Sequence, residues 1–173
     1  MAEITTRPVT VADAPALAAL LTANRAHLAP WDPIRPDGYF TAAGQAGLIE
    51  EGLRGTSILH VIREDGEIAG RINLNNVVHG PFQSGNLGYW VDHARTGRGV
   101  ATTAVRMFAH LVFGLAGLHR MEAGTLVHNH ASQRVLTRNG FTPFGLAPRY
   151  LRIAGEWQDH RLFQLLAEDF DKL

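Results

Sequence analysis

A short segment in the middle of the chain, RTGRGVATTAV at residues 95–105, combines glycines, cations and good helix formers. It follows a strand-like run, GYWVD, so the order is strand, glycine-rich turn and helix. Glycines let consecutive backbone N–H groups turn inward, and a helix N-terminus carries roughly half a positive charge. Arg95 and Arg98 add cations that suit phosphate oxygens. The segment predicts a phosphate or pyrophosphate site; the alternative is that Gly97 and Gly99 only shape a tight loop.

Two common phosphate motifs do not fit this segment. The P-loop pattern GxxxxGK[ST] is missing from the sequence. The dinucleotide pattern GxGxxG would need a glycine where Thr102 stands. That pattern also belongs near the start of a βαβ unit, not halfway along a chain. The predicted phosphate ligand is therefore held by a different kind of loop.

The elements that position this loop follow from hydrophobic spacing and turn residues. Residues 4–8 predict a first strand, and two helical stretches follow, one after Thr10 and one over residues 39–53. Asp65 and Gly66 predict a hairpin turn. A helix follows the glycine segment, and Asn129 and Gly140 bracket a shorter one. Strands are predicted for the runs SILHVIRE, EIAGRINLNNV, NLGYWVD, HRMEAGTLV, FTPFGLA, RYLRI and WQDHRLFQLL. We expect one α/β domain over residues 1–173, built on a mixed sheet.

Composition excludes several classes of protein. Lys+Arg 16 against Asp+Glu 16 leaves no net charge, which argues against nucleic acids or anionic membranes as partners. The absence of cysteine excludes disulfides, thiolate metal sites and a cysteine nucleophile. No apolar run approaches ~18 residues and no signal-peptide plan is visible, so we expect a cytoplasmic protein. No metal is predicted, because four histidines lack metal-ligand spacing: His27, His60, His79 and His93.

The glycine segment resembles the pyrophosphate motif of the GCN5-related N-acetyltransferase (GNAT) superfamily, Gln/Arg-x-x-Gly-x-Gly/Ala. TGRGVA at residues 96–101 matches its last two fixed positions, with Thr96 in place of Gln or Arg. NHASQRVLTRNGF at residues 129–141 resembles the N-x-x-S-x-x-V-x-x-K-x-G-F signature of the Rim group, with Arg138 in place of Lys. HLAPWDP and GEWQDHRLF are similar to that group's loop and closing strand. The resemblance covers residues 4–170.

This resemblance implies a GNAT fold, α/β (α+β), with a mixed sheet of about seven strands flanked by about four helices. It also implies acetyl-CoA as co-substrate. The pantetheine arm would add as an extra strand along Trp90 and Val91. The pyrophosphate would bind the residues Arg95, Thr96, Gly97, Arg98, Gly99, Val100, Ala101 and Thr102.

Asn129 and Ser132 each have two interpretations. The resemblance implies that Asn129 contacts the pantetheine, although asparagine is also among the best helix N-caps. Ser132 would lie near the thiol and protonate the departing thiolate of CoA. Alternatively, Ser132 has no catalytic role and is only an exposed serine at the start of a helix.

Candidates for a general base are Glu122 and His128, six residues apart on one predicted strand and therefore on the same face. Alternatively, Glu122 pairs with an arginine and His128 is a partly buried histidine at a strand end. Some Rim-group enzymes use a Glu in the segment that reads APRYL here. Arg149 stands at the matching position, so that role does not carry over. The candidate substrate residues are Trp31, Tyr39 and Tyr150; alternatively, Trp31 packs its proline-rich loop onto the core.

The Rim group acetylates the N-termini of ribosomal proteins. An α-amine has a pKa of ~7.7–8.0, so much of it is neutral near pH 7.5 and positioning can supply most of the catalysis. We therefore expect direct acetyl transfer to the N-terminal α-amine of a protein or peptide. The rivals are an acetyltransferase of a small amine, such as an amino acid, polyamine or antibiotic, and a non-catalytic acyl-CoA-binding module. Both a monomer and a homodimer are open.

Overall fold

The computed structural model describes residues 2–172; residues 1 and 173, the ends of the predicted domain, lie outside that part. Seven strands within it form one mixed sheet: β1 (Ile4–Pro8), β2 (Ile58–Glu64), β3 (Glu67–Val78), β4 (Ser84–Val91), β5 (Arg120–Leu126), β6 (Thr142–Ile153) and β7 (Glu156–Leu166). Their spatial order is β1-β2-β3-β4-β5-β7-β6. Neighbouring strands are antiparallel except for β4 and β5, which are parallel. The mixed sheet that the sequence predicts is confirmed.

Helices cover both faces of this sheet. The helices of the described chain are α1 (Ala14–Ala23), α2 (Arg25–Leu28), α3 (Ala42–Arg54), α4 (Val100–Gly114), α5 (His130–Arg138) and α6 (Ala167–Phe170). Consecutive residues of β2 belong to two different buried clusters, because side chains alternate along a strand. Val61 packs with Leu17 of α1 and Ile49 of α3, whereas Ile62 packs with Phe108 of α4. The four longer helices are those that the sequence predicts, and α2 and α6 are single turns.

The turn between β2 and β3 has the geometry that its residues predict. Asp65 has φ 50° and Gly66 has φ 86°, so both central residues are left-handed. A two-residue turn of this kind matches the twist of the flanking strands. The hairpin predicted from Asp65-Gly66 is therefore confirmed, and it places the end of β2 beside the start of β3.

β4 and β5 diverge along their length. They pair at three positions, Ser84 with Arg120, Gly85 with Met121 and Asn86 with Glu122. Beyond these pairs, residues 87–91 of β4 pair with β3 on one side but have no strand on the other within residues 2–172. The backbone N–H and C=O groups on that side are left open. This divergence is the feature that an added strand-like ligand requires.

β6 and β7 form a long hairpin at one edge of the sheet. The sequence predicts two strands, FTPFGLA and RYLRI, where the structure has the single strand β6. The register shifts between Ala147 and Leu151, and Arg149 has φ 47°. The backbone N–H of Arg149 donates to Asp159 Oδ1 at 2.8 Å, which holds this bulge against β7. Pro148 interrupts the hydrophobic pattern, but pairing with β7 continues on both sides of it.

Candidate active site

The glycine segment forms a tight turn that opens α4. Gly97 has φ 75° and Gly99, the N-cap of α4, has φ 84°, a region that side chains with a Cβ rarely adopt. A Cβ built on either glycine would meet no atom within 4 Å, so the space above the turn is open. Gly99 provides no side-chain cap, and the first N–H groups of a helix have no partner within it. The turn therefore presents free backbone donors to an anion, as the sequence predicts for such a loop.

The two cations of this loop are paired with a carboxylate that the sequence does not reveal. Glu64 at the end of β2 has a side chain 4% exposed. Its Oε2 is 2.9 Å from Nη1 of Arg95 and 2.6 Å from Nη2 of Arg98. The Oγ1 of Thr96 donates to the carbonyl of His93 at 2.8 Å. These contacts brace the loop against the end of β2 and against the residue His93 that precedes it.

At the other side of the diverging strands, Asn129 caps α5. Its Oδ1 accepts a hydrogen bond from the backbone N–H of Ser132 at 3.1 Å. The Ser132 side chain is half-buried, and its Oγ lies 2.8 Å from the hydroxyl of Tyr89 on β4. Burial raises the pKa of Tyr89 to about 12, and the hydrogen bond with Ser132 lowers it in part. Tyr89 therefore stays protonated near neutral pH and is a donor that the sequence does not reveal.

A groove of about 640 Å³ joins the glycine turn, the open edge of β4 and the start of α5. A smaller cavity of about 160 Å³ lies between the diverging strands, between Gly88 of β4 and Gly124 of β5. Trp31, Asn129 and Ser132 line both. The predicted residues that line the groove are Trp31, Tyr39, Trp90, Val91, Arg95, Thr96, Gly97, Gly99, Val100, Ala101, Thr102, Asn129 and Ser132. The structure thus brings most of the predicted site together.

Four predicted residues lie outside the lining of both cavities in the described chain: Arg98, Glu122, His128 and Tyr150. The carboxylate of Glu122 accepts from Nε of Arg120 at 2.6 Å, which is the arginine pairing that the sequence leaves open. The expectation that Glu122 and His128 share one strand is wrong, because β5 ends at Leu126 and His128 lies in the turn beyond it.

Two of these residues lie next to lining residues. The ring centroids of His128 and Trp31 are 5.5 Å apart. Those of Tyr150 and His160 are 5.6 Å apart, and His160 of β7 lines the smaller cavity. Both predicted residues therefore lie beside residues that line the cavities, although they line neither cavity themselves.

Two further lining residues have no signal in the sequence. His160 is buried at 3% exposure, and its Nδ1 is 2.9 Å from the carbonyl oxygen of Gln158. Arg71 of β3 lines the groove opposite the glycine turn's helix, and its Nη1 is 3.4 Å from Oε1 of Gln45. Both are single residues in strands, and their faces follow only from the register of the sheet.

Residues 3–142 match the family model described as an acetyltransferase (GNAT) domain. The chain belongs to the GNAT acetyltransferase family and is an acetyltransferase. It is 34% identical to a probable N-acetyltransferase of Bacillus subtilis, YjcK, over 94% of this chain and 93% of the relative. It is 32% identical to the ribosomal protein uS5-alanine N-acetyltransferase of Escherichia coli, over 91% of this chain and 84% of the relative.

A solved structure extends this similarity to three dimensions. The chain resembles Mycobacterium smegmatis RimJ, solved in complex with CoA-disulfide, with 35% identity and a TM-score of 0.91. The match covers 95% of this chain and 82% of that one. The predicted GNAT fold and the resemblance to the Rim group are therefore confirmed. No helix among residues 2–172 is long and apolar enough to span a membrane.

Proposed function

We propose that this protein transfers the acetyl group of acetyl-CoA to the N-terminal α-amine of a protein or peptide. The observation that carries the proposal is the continuous groove of about 640 Å³ from the glycine turn, past the open edge of β4, to Trp31 and Tyr39. The end of the groove at the glycine turn suits a phosphate, and the end at Trp31 and Tyr39 is open to an acceptor. The similarity to the uS5-alanine N-acetyltransferase supports an α-amine of a ribosomal protein as the acceptor.

In this proposal acetyl-CoA binds along the glycine turn and β4. The pyrophosphate accepts hydrogen bonds from backbone amides of residues 95–102, where Gly97 and Gly99 leave open space. The pantetheine arm pairs with the open backbone of Trp90 and Val91 as an added strand. Asn129 contacts the pantetheine while its Oδ1 caps α5. No step of this binding needs a metal.

The chemistry is direct transfer. The neutral α-amine attacks the thioester carbonyl, a C–N bond forms, and the C–S bond breaks from the tetrahedral intermediate. Ser132 protonates the departing thiolate, helped by its hydrogen bond to Tyr89. The ammonium proton leaves to a base, for which Glu122 and His128 are the candidates from the sequence, and it then returns to Ser132 through solvent, which completes the cycle. Trp31, Tyr39 and Tyr150 are the proposed acceptor residues, and the first two line the groove.

The setting of the reaction is part of the proposal. We place it in the cytoplasm, where ribosomal proteins are made, and treat residues 1–173 as one N-acetyltransferase domain, as a monomer or a homodimer. The acceptor is a protein or peptide N-terminus, with no nucleic acid or membrane as partner. A small amine remains the alternative acceptor, and the same assay decides between them.

The test is thiol release from acetyl-CoA as a function of pH. Peptides that begin with Ala, Ser or Met are compared with the same peptides blocked at the N-terminus but carrying a free Lys. The rate on the free N-termini should rise with pH and level off near ~8, where an α-amine is neutral, whereas a lysine or polyamine should keep accelerating beyond pH 9. Equal rates on the blocked peptides would refute the α-amine assignment.

A further inference from the structure

Arg71 lies in the middle of β3, on the face of the sheet that carries α3. It pairs with Val61 on one side and Trp90 on the other. Val61 packs against α1 and α3, so the Arg71 side chain points to the same helices. There Nη1 contacts Oε1 of the fully buried Gln45 at 3.4 Å, and the side chain lines the groove. The guanidinium is therefore held at the groove wall by a neutral amide.

This guanidinium has no counter-ion among the described residues. Arg71 is partly buried and its Nε has no hydrogen-bond partner in the described chain. No carboxylate of residues 2–172 pairs with it, whereas Arg35 pairs with Asp32 and Arg95 with Glu64 in the same groove. A partly buried cation is costly unless an anion compensates it. The structure thus leaves an anion position open beside Arg71.

Two other arginines that line the groove, Arg134 and Arg138, lie on α5 and are exposed. The Nδ2 of Asn139, just after α5, donates to the carbonyl of Thr102 at 3.1 Å, which places the end of α5 beside the start of α4 and its glycine turn. Arg71 lies instead on the α3 side of the sheet, with Tyr39 and Asn73 as fellow lining residues. Arg71 thus lies on the opposite face of the sheet from α4, which follows the glycine turn, and this favours an anion of the acceptor over the phosphates as its partner.

We propose that Arg71 binds a carboxylate of the acceptor, which rests on the α-amine transfer proposed above. Arg71 pairs with Trp90, which lies two residues along β4 from Gly88. This spacing places the Cα atoms of Trp90 and Gly88 roughly 7 Å apart. Gly88 lines both cavities, as does Ser132. A peptide spans about 3.3–3.6 Å for each extended residue, so the carboxylate lies in the second or third residue of the acceptor. The favoured acceptor is a peptide with Asp or Glu at one of these positions.

The experiment measures kcat/KM on peptide pairs that differ by Glu or Gln at position 2 and at position 3. We expect the wild type to favour one of the Glu peptides by about tenfold or more, as for a charge-assisted hydrogen bond. Arg71→Met should erase this preference and leave the KM for acetyl-CoA unchanged. Arg134→Met, which removes a charge from the same groove, should keep the preference.

The possible outcomes separate the two proposals. Equal kcat/KM on Glu and Gln peptides, or an Arg71→Met effect confined to the KM for acetyl-CoA, refutes the role of Arg71 alone. Failure on every peptide refutes the α-amine function. Free alanine acetylated faster than the peptides, in an Arg71-dependent manner, assigns the carboxylate to an amino acid and supports Arg71 but refutes a protein acceptor.

His160 of β7 has the geometry of a general base at the smaller cavity. The carbonyl of Gln158 can only accept, so Nδ1 of His160 donates to it and Nε2 carries the lone pair of the neutral ring. His160 lines the smaller cavity together with Ser132 and Trp31. It lies against Gly124, which has no side chain, with Cδ2 3.7 Å from the position of an added Cβ. The ring is thus buried at the cavity, and within residues 2–172 its Nε2 has no hydrogen-bond partner.

From this geometry we infer that His160, and not Glu122 or His128, is the general base, again on the basis of the proposed transfer. Nε2 takes the proton that the amine loses as its C–N bond forms. The thiolate released by C–S cleavage takes the Ser132 proton, and the proton on Nε2 of His160 then returns to Ser132 through water in the cavity that both residues line, so charge and protons balance. Glu122 is already paired with Arg120 and lines neither cavity.

The test combines two variants. His160→Asn keeps a donor for the Gln158 carbonyl but cannot take the proton, and His160→Ala leaves space for added imidazole. Both should lower kcat by 10²–10⁴-fold with little change in the KM for acetyl-CoA, and imidazole should restore part of the kcat of His160→Ala only. A kcat within threefold of wild type, or a loss that imidazole does not relieve in the folded variant, refutes His160 as base. A wild type without activity refutes the transfer itself.

Discussion

The hydroxyl groups of Tyr89 and Ser132 lie 2.8 Å apart, and the Tyr89 hydroxyl is also 3.3 Å from the backbone carbonyl of Ser132. A phenol has one proton and can donate to only one of these acceptors. If it donates to the carbonyl, Ser132 donates to Tyr89. If it donates to Ser132 Oγ, the serine proton is free to point into the cavity. Tyr89 therefore controls where the Ser132 proton points.

Tyr89→Phe should lower kcat by about three- to tenfold while acetyl-CoA affinity stays nearly unchanged, because a neutral hydrogen bond contributes about 1 kcal/mol. Ser132→Ala should cost more, about 10²–10⁴-fold unless a water replaces the hydroxyl. Since the two groups act through one proton, the double variant should lose no more than Ser132→Ala alone.

Burial raises the pKa of Tyr89 to about 12, so the phenol keeps its proton throughout the range from pH 6 to pH 9. The loss in Tyr89→Phe should therefore be the same at every pH in that range. Losses that add in the double variant, or that vary with pH, would contradict the shared proton.

Gly99→Asn tests the glycine turn. Asparagine tolerates the left-handed backbone at φ 84°, and its side chain would enter open space where a phosphate must approach. Acetyl-CoA should bind at least tenfold more weakly, about 1.4 kcal/mol, by calorimetric titration. Gly99→Val should lose affinity and also stability, because a branched residue is strained at this φ.

The control for this loop is Gly117→Asn. Gly117 also has a positive φ, 63°, with no atom near an added Cβ, and it lies beyond the far end of α4. The affinity of the Gly117→Asn variant for acetyl-CoA should match that of the wild type. Unchanged affinity in a folded Gly99→Asn variant would refute the phosphate-loop interpretation.

Glu64→Gln tests the brace behind the loop. The substitution removes the charge that pairs with both Arg95 and Arg98. Because the Arg98 side chain is 55% exposed, its ion pair with Glu64 contributes little stability. We expect a loss of about 1–2 kcal/mol in the free energy of unfolding. Urea denaturation measures it. Glu67→Gln, an exposed carboxylate opposite Glu64 in the hairpin, should change stability by less than about 0.5 kcal/mol.

Asp13 should make stability depend on acid pH. Its hydrogen bond from Arg7 is the main cause that lowers the pKa of Asp13 to about 2 from 3.8. A lowered pKa in the folded state contributes stability above the unfolded pKa, and this contribution disappears as the pH falls from about 4 to about 2. At neutral pH it amounts to about 2 kcal/mol.

Asp13→Asn should therefore destabilise the protein at pH 7 and converge with the wild type near pH 2, by thermal or urea unfolding. Asp37→Asn is the matched control, because the Asp37 carboxylate pairs with Arg25 but is 91% exposed. It should have little effect at either pH. A difference between Asp13→Asn and the wild type that is independent of pH would contradict this account.

Much of the loop geometry could be predicted because it is local. The turns at Gly97, Gly99 and Asp65-Gly66 could be predicted because glycine readily adopts a positive φ and an Asp-Gly pair favours a two-residue hairpin turn. The cap formed by Asn129 could be predicted for the same reason, because its Oδ1 accepts from the backbone N–H of Ser132 in the first turn of α5.

What could not be predicted depends on strand register. Glu64 reaches Arg98 across 34 positions of sequence, and Arg71 and His160 face their cavities only because of how β3 and β7 pair with their neighbours. The strand assignment of His128 failed for a related reason, since β5 stops where its pairing with β7 stops at Leu126.

The bulged strand β6 lies at the outer edge of the sheet and exposes apolar side chains, among them Leu146 at 60%. A flat strand of that kind would be a template for edge-to-edge aggregation. Pro143 and Pro148 remove two backbone donors, and the register shift between Ala147 and Leu151 bends the strand away from a regular ladder. The protein can therefore keep the backbone edge of β4 open for a ligand while its outer edge resists the addition of a foreign strand.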